Sequence, residues 1–243
     1  VEETTINADG SGTICNSVDM GKMLAALAAM GGEEKMKDAE KIKGDTTIFL
    51  KDIKDSLTNL TEPEKKLLEK GKAHITLNLK EEKFFISYTV PFAKATDIHA
   101  IEAALGKSGG KLMKTLIEGI MPDEEKARMK SKDEEDITMG TEDGTPNISS
   151  YYGTFYENNK LVKKINKEMV AKLSEDESLK SLKEMGQMGM AMNLKTVINL
   201  PRPAKKTVGK AITLSDDKKK VTIEGTLDDF FEDPSKFEYE IEY

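Results

Sequence analysis

The side chains from which this 243-residue chain could assemble catalytic chemistry are two histidines, one cysteine and 44 acids. A Cys–His nucleophile pair requires Cys15 with His74 or His99. Nothing around Cys15 supports it: the residue sits in hairpin-like sequence, where a small buried hydrophobe is the simpler reading. No Gly-x-Ser-x-Gly elbow is present. Gly106-Lys107-Ser108 resembles the tail of a phosphate-binding loop, but the first glycine of that motif would fall on Ile101. The segment also follows a helical pattern rather than a strand, so a helix C-cap and flexible link is expected. Asn7, Asp9 and Ser11 with Gly12 open like a calcium loop, yet its twelfth position is Val18 and the bidentate carboxylate is missing. A hairpin turn is the better reading.

Met185, Met188, Met190 and Met192 offer thioethers suited to Cu(I). Their spacing crosses from a helical pattern into a strand pattern, which scatters the sulfurs, and flexible core filling is expected instead. Arg202, Lys205, Lys206 and Lys210, followed by Lys218, Lys219 and Lys220, lie on one predicted hairpin. They either face anionic lipid or polysaccharide or protect a sheet edge, and edge protection is favoured. Acid pairs of the glycosidase kind cannot be singled out among so many carboxylates. Trp is absent and aromatics are 6%, which disfavours a sugar-stacking platform. No catalytic, cofactor-binding or metal-ligating residue is assigned, and no cofactor is expected.

The elements around these residues read as hairpins. Val1–Ile6 and Ser11–Asn16 flank Ala8-Asp9-Gly10, and Asp-Gly tolerates the positive φ of a tight turn. Ser17 is read as the N-cap of a helix running through Met20, Met23, Leu24, Leu27 and Met30 to Gly31-Gly32. Glu33–Lys43 is a charged connector, and Thr46–Lys51 a strand. Thr61-Glu62-Pro63-Glu64 is a capping box opening a helix to about Lys70. His74–Lys80 and Lys83–Pro91 form a second hairpin. Thr96 caps a helix with Ile98, Ile101 and Leu105, which Gly106–Gly110 is expected to break before a new helix over Lys111–Ile120. Tyr152–Glu157 and Lys160–Ile165 form a third hairpin around Asn158-Asn159. A helix over Asn166 to about Met185 and a strand over Met190–Leu200 follow. Thr207–Leu214 and Lys220–Leu227 make a fourth hairpin, then a short helix covers Leu227–Asp233. Phe237, Tyr239, Ile241 and Tyr243 alternate with Glu238, Glu240 and Glu242, the pattern of a strand with one wet face.

Strands that come in hairpins imply an α+β fold with a mainly antiparallel sheet and helices packed on it, in a single domain over residues 1–243. The net charge of -7 is concentrated. Between Pro122 and Asp143 nine acids face four bases, a local excess of -5. We expect a charged, mobile excursion at about 122–147. Bulk nucleic-acid binding is disfavoured, because phosphate neutralisation needs a basic footprint. The longest uncharged run, Gly144–Tyr156, has 13 mostly polar residues. A membrane-crossing helix needs roughly 20 apolar ones. The first residue is Val, not Met, which suggests a processed or truncated product, as if a signal or lipid-anchor leader had been removed.

Thr4-Thr5-Ile6-Asn7-Ala8-Asp9-Gly10-Ser11-Gly12 at one end, with Val197-Ile198-Asn199-Leu200-Pro201, Ile212–Thr222 and Phe237–Tyr243 at the other, resembles uncharacterised secreted lipoproteins of Bacteroidetes. More distantly these segments resemble the LppM-type lipoprotein domain. The resemblance implies an envelope location, a lipidated cysteine just before Val1 and no transferable functional residue. Under it, Asp45-Thr46-Thr47 and Asp55-Ser56-Leu57 resemble a bacterial O-glycosylation acceptor pattern. The expected function is a non-enzymatic cell-envelope lipoprotein that binds or scaffolds an unidentified envelope component. The alternatives are a carrier of lipid or small apolar ligands and a hydrolase using carboxylates.

Overall fold

The computed structural model describes residues 1–21, 43–120, 148–176, 179, 180, 183 and 192–243. These residues form an α+β fold with two mostly antiparallel sheets. The strands are β1 (Glu2–Ile6), β2 (Gly12–Asp19), β3 (Lys43–Phe49), β4 (Lys72–Asn78), β5 (Lys83–Phe92), β6 (Tyr152–Glu157), β7 (Lys160–Ile165), β8 (Asn193–Asn199), β9 (Lys206–Val208), β10 (Ile212–Leu214), β11 (Lys220–Thr226) and β12 (Tyr239–Glu242). The helices are α1 (Glu62–Leu68), α2 (Ile98–Ile120), α3 (Lys167–Ala171) and α4 (Leu227–Glu232). The eight-stranded sheet runs β10-β11-β8-β1-β2-β5-β4-β3, and the four-stranded sheet runs β6-β7-β12-β9.

Turn chemistry places the hairpins where the sequence puts them. Asp9 Oδ1 accepts from Ser11 N at 3.0 Å and Ser11 Oγ at 2.7 Å, and Gly10 takes φ 83°. Asn158 and Asn159 turn β6 into β7 with φ of 51° and 61°, a conformation that Asn tolerates. Alternation then sorts side chains. Ile75, Phe84, Ile86 and Val90 are buried on the inner face of β4 and β5. Phe237, Tyr239, Ile241 and Tyr243 are buried at the C-terminal end, as their spacing predicts. The capping box at Thr61 forms, with Thr61 N donating to Glu64 Oε2 at 2.8 Å.

Four expectations are corrected. Ser17 is not a helix cap: β2 continues to Asp19 and pairs Ser17 with Ser87. Gly106–Gly110 does not break a helix, because α2 runs through it for 23 residues. Ala104, Leu105, Leu112 and Leu116 keep one face of α2 buried across the glycines, and Ser108 Oγ donates to Ala104 O at 2.8 Å. Glycine costs about 1 kcal/mol per position in a helix, and the packing on either side offsets that. The helix after Asn166 is interrupted: Asn166 Oδ1 accepts from Glu168 N, but α3 stops at Ala171, and residues 179, 180 and 183 are helical again. The first strand of the fourth hairpin is split, with β9 in the small sheet and β10 in the large one. The helix read over Met20–Met30 lies outside the described residues beyond Gly21, as do the charged excursion at 122–147 and Met185, Met188 and Met190.

The chain passes repeatedly between the sheets. It leaves β8 in the large sheet for β9 in the small one, returns for β10 and β11, then crosses again to β12. β1 lies mid-sheet, antiparallel to β2 and parallel to β8. Helix α2 packs on β3, β4 and β6 and so touches both sheets. No helix among the described residues is long and apolar enough to cross a membrane.

Gly12 marks a close approach within the β1–β2 hairpin. A Cβ there would meet Thr5 O at 1.9 Å and the Phe92 ring at 2.5 Å, whereas one at Gly10 meets nothing within 4 Å. Overpacking ordinarily costs about 1–3 kcal/mol, and a backbone oxygen cannot swing away. Urea denaturation should place Gly12→Ala at or beyond the upper end of that range. Gly10→Ala, which meets only its left-handed φ, should lose about 1–2 kcal/mol.

Candidate functional site

The eight-stranded sheet carries polar side chains inward along one row. Thr196, Glu2 and Asn16 are register neighbours on β8, β1 and β2, and Asn16 is next to Tyr88 on β5. The facing row of the small sheet is Thr154, Lys163 and Tyr239, on β6, β7 and β12. Helix α2 adds Glu102 from its buried face, one residue after Ile101 and four after Ile98. Lys163 is 4% exposed and Glu102 9% exposed.

Lys163 Nζ donates to Glu2 Oε2 at 2.8 Å and lies 5.4 Å from the centre of the Tyr152 ring. The Tyr152 hydroxyl donates in turn to Pro234 O at 2.7 Å. Burial pushes Glu2 up, but the Lys163 charge and hydrogen bond, with a further hydrogen bond from Glu102, outweigh it and hold Glu2 below its ordinary value. Burial pushes Lys163 down, and the two carboxyls reverse this and hold it above its ordinary value. Glu102 is pushed up to about 8, first by burial and then by the negative charge of Glu2. At neutral pH the cluster is therefore an ammonium, a carboxylate and a neutral carboxylic acid. Glu102 supplies the proton of the Glu102–Glu2 hydrogen bond, since a neutral acid can donate where a carboxylate cannot. Burial, with Glu2 and Glu102 nearby, raises Tyr239 well above its ordinary value.

Asn16 Oδ1, Tyr88 Oη and Thr154 Oγ1 are enclosed without a hydrogen bond of normal geometry. Thr154 nevertheless sits near enough to Glu102 to favour its ionised form. This polar interior joins β1, β7 and α2, with an ion pair at its centre.

None of these residues stands out in the sequence, where a charged side chain ordinarily marks surface. The signal was one of phase. Lys163 continues the inward alternation of Leu161, Glu2 that of Thr4 and Ile6, and Glu102 sits on the same helical face as Ile98 and Leu105.

The residues that were singled out lie elsewhere. Cys15 is half-buried on the outer face of β2, where Thr89 Oγ1 donates to its sulfur at 3.6 Å, so the buried-core reading is corrected. His74 lies on the outer face of β4 between Thr47 Oγ1 at 3.0 Å and Thr76 Oγ1 at 3.1 Å. His99 stacks on Phe155 at 5.1 Å. Gly106-Lys107-Ser108 is helix interior and not a terminal link. No group of three or more His, Cys, Asp or Glu among the described residues is arranged to hold a metal ion.

At one end of the sheets, loops from both converge on a cleft of about 310 Å³. The β1–β2 turn at Asn7–Gly10, Tyr156 and Asn159 of the β6–β7 hairpin, Pro201 and Arg202 after β8, and Tyr243 line it. The Arg202 guanidinium lies over the Tyr243 ring at 5.7 Å. A second groove of about 410 Å³ crosses the β6–β7 hairpin beside Phe155, Lys160 and Glu242. Compared with known proteins, the chain matches no family model, no curated protein and no solved structure.

The folded chain keeps the Glu102 proton up to about 8, against an ordinary value of 4.5. Between those pH values the unfolded chain binds fewer protons, so Glu102 makes stability fall as pH rises. Glu2 acts in the opposite sense, and its contribution is lost on acidification through its lowered pKa. Thermal melts should show Glu102→Gln flattening the fall in stability from pH 5 to 8 while costing little at pH 7, because Gln mimics the neutral acid. Lys163→Met, which strands Glu2, should lose about 3–5 kcal/mol at pH 7.

Proposed function

We propose that this chain is a non-enzymatic binding module of a cell-envelope lipoprotein, and that its ligand enters the cleft between the β1–β2 turn, the β6–β7 hairpin and the segment after β8. The observation that carries the reading is the cleft itself. Loops from two sheets converge there on a guanidinium held over an aromatic ring, with polar groups around it. Binding sites are ordinarily concave and present a few placed polar groups on a rigid scaffold.

The Glu2–Glu102 pair favours a hydrolase on one count only: one carboxyl is held low and the other high, the division that acid–base catalysis uses. Its setting favours a structural role. Glu2 is taken up by Lys163, and both Lys163 and Glu102 are enclosed where a substrate has no approach. For a lipid carrier, the apolar faces of β4 and β5 are already packed into the core, and the lining of the end cleft is largely polar. The envelope location is supported by the resemblance of both chain ends to secreted lipoproteins.

Ligand-observed NMR with a broad library of small polar solutes tests the binding reading. Hits should lose at least tenfold in affinity with Arg202→Met while the fold is retained. Hits that ignore this substitution, or no hits at all, would remove the cleft as the site. For location, the full-length gene product should partition with membranes and show a globomycin-sensitive mobility shift; a cytosolic, unlipidated product would refute the envelope assignment.

A further inference from the structure

We propose that the end cleft binds a zwitterionic small molecule, a free α-amino acid or dipeptide, with its carboxylate on Arg202 and its ammonium on Asp9. This rests on the reading of the cleft as the ligand site and names the chemistry of that ligand.

Among the side chains that line the cleft, Arg202 and Asp9 are the charged ones, one of each sign, and neither has an ion-pair partner within the described residues. Among the described residues no side-chain carboxylate lies at ion-pair distance from Arg202. Its guanidinium lies over the Tyr243 ring at 5.7 Å, and the residue is exposed, so its N–H groups are open to a ligand. A guanidinium matches a carboxylate, which it can grip with two parallel hydrogen bonds. Asp9 Oδ1 accepts hydrogen bonds from both Ser11 N and Ser11 Oγ. The carboxylate is therefore oriented by the turn, and among the described residues no other residue donates to Oδ2. The hydrogen bonds from Ser11 also hold Asp9 below its ordinary pKa, so it stays ionised. The turn is braced again by Asn7, whose Nδ2 donates to Ser11 Oγ at 3.0 Å.

These two charges decide between ligand classes. A purely anionic ligand that reaches Arg202 also meets the Asp9 carboxylate, and a purely cationic one meets the guanidinium. A ligand carrying both signs satisfies both groups, and like-charge juxtaposition rejects the others. The remaining lining suits a small amphipathic body. Tyr156 and Tyr243 supply ring surface, and the Tyr156 hydroxyl donates to Asn159 Oδ1 at 3.2 Å, which leaves the Asn159 amide hydrogens free. The Tyr243 hydroxyl is enclosed without a hydrogen bond of normal geometry, close enough to the Tyr156 hydroxyl to interact with it, so the two rings form one continuous wall. A volume of about 310 Å³ holds an amino acid or dipeptide but little more.

Isothermal titration of the full chain tests this with the twenty free L-amino acids, L-alanyl-L-alanine and L-alanyl-L-tyrosine, with N-acetylated and C-amidated forms of whatever binds, and with D-glucuronate. The expected result is at least one zwitterion whose affinity falls tenfold or more on blocking either end. Arg202→Met should abolish the penalty for amidation, and Asp9→Asn, which preserves the turn, should abolish the penalty for acetylation. Preference for free amino acids or for dipeptides distinguishes the two sources. A blocked form that binds as well as its parent overturns the proposal. Binding of D-glucuronate with no zwitterion overturns it too, but leaves the cleft as a binding site. Absence of binding by every probe overturns it as well, and the solute library then decides whether the binding reading survives.

Discussion

The contact between Lys163 and Glu2 is the constraint around which the rest of this fold is arranged. It joins the middle of the large sheet to the middle of the small one, and Glu102 brings helix α2 to the same point. Opposite charges taken out of water repay their desolvation only when geometry and hydrogen bonding are good. Here the second acid avoids adding a second buried negative charge by keeping its proton. The cluster is consequently specific in a way that an apolar contact is not. Sliding either sheet by one residue would send Lys163 or Glu2 to the opposite face, since side chains alternate with period two. Register is thus defined by an ion pair as well as by packing.

The surrounding layers follow from that point. The inner row Thr196, Glu2, Asn16 and Tyr88 is polar across four strands, whereas the neighbouring rows are apolar but for Thr4: Ile198, Thr4, Ile14 and Val90 on one side, with Ile86 and Ile75 on the other. Crossings of the chain between the sheets close the structure at the ends, and one of those ends is the loop-lined cleft. The stabilising centre and the open cleft are separate, which leaves the loops free to carry a ligand while the interior holds the sheets in register.

Much of this architecture was legible because local chemistry and global fold agree. Asp9-Gly10 and Asn158-Asn159 supply the positive φ their hairpins need, Thr61 and Glu64 cap a helix, and Tyr239, Ile241 and Tyr243 bury alternate positions. The failures have one common cause, tertiary packing overriding local preference. Gly109 and Gly110 remain helical because α2 is held by Leu105 on one side and Leu112 on the other. Ser17 remains in a strand because β5 pairs with it. The strand predicted over Thr207–Leu214 divides because its two ends belong to different sheets, and Gly209 sits where a Cβ would meet Glu238 O at 2.8 Å. The buried Lys163 and Glu102 were hidden for a different reason: a charge looks solvated until the residues in phase with it are known to be core. Arg202, by contrast, was visible in sequence as part of a basic cluster, but only the fold brings Asp9 and Tyr243 to it.

The parallel pairing of β1 with β8 has a consequence in time rather than in space. Residue 2 finds its neighbour at residue 196. At a synthesis rate of about 5–20 residues per second, roughly ten to forty seconds separate the two on the ribosome. Throughout that interval β1 has β2 on one side and an open edge on the other, with Glu2 still lacking its lysine until β7 emerges. The nascent chain therefore carries an unfinished sheet while the residues between the two strands are made. An edge of that kind invites pairing with other chains, so the early hairpin depends on its own polar Thr and Glu side chains, or on a chaperone, to stay single until the late strands arrive.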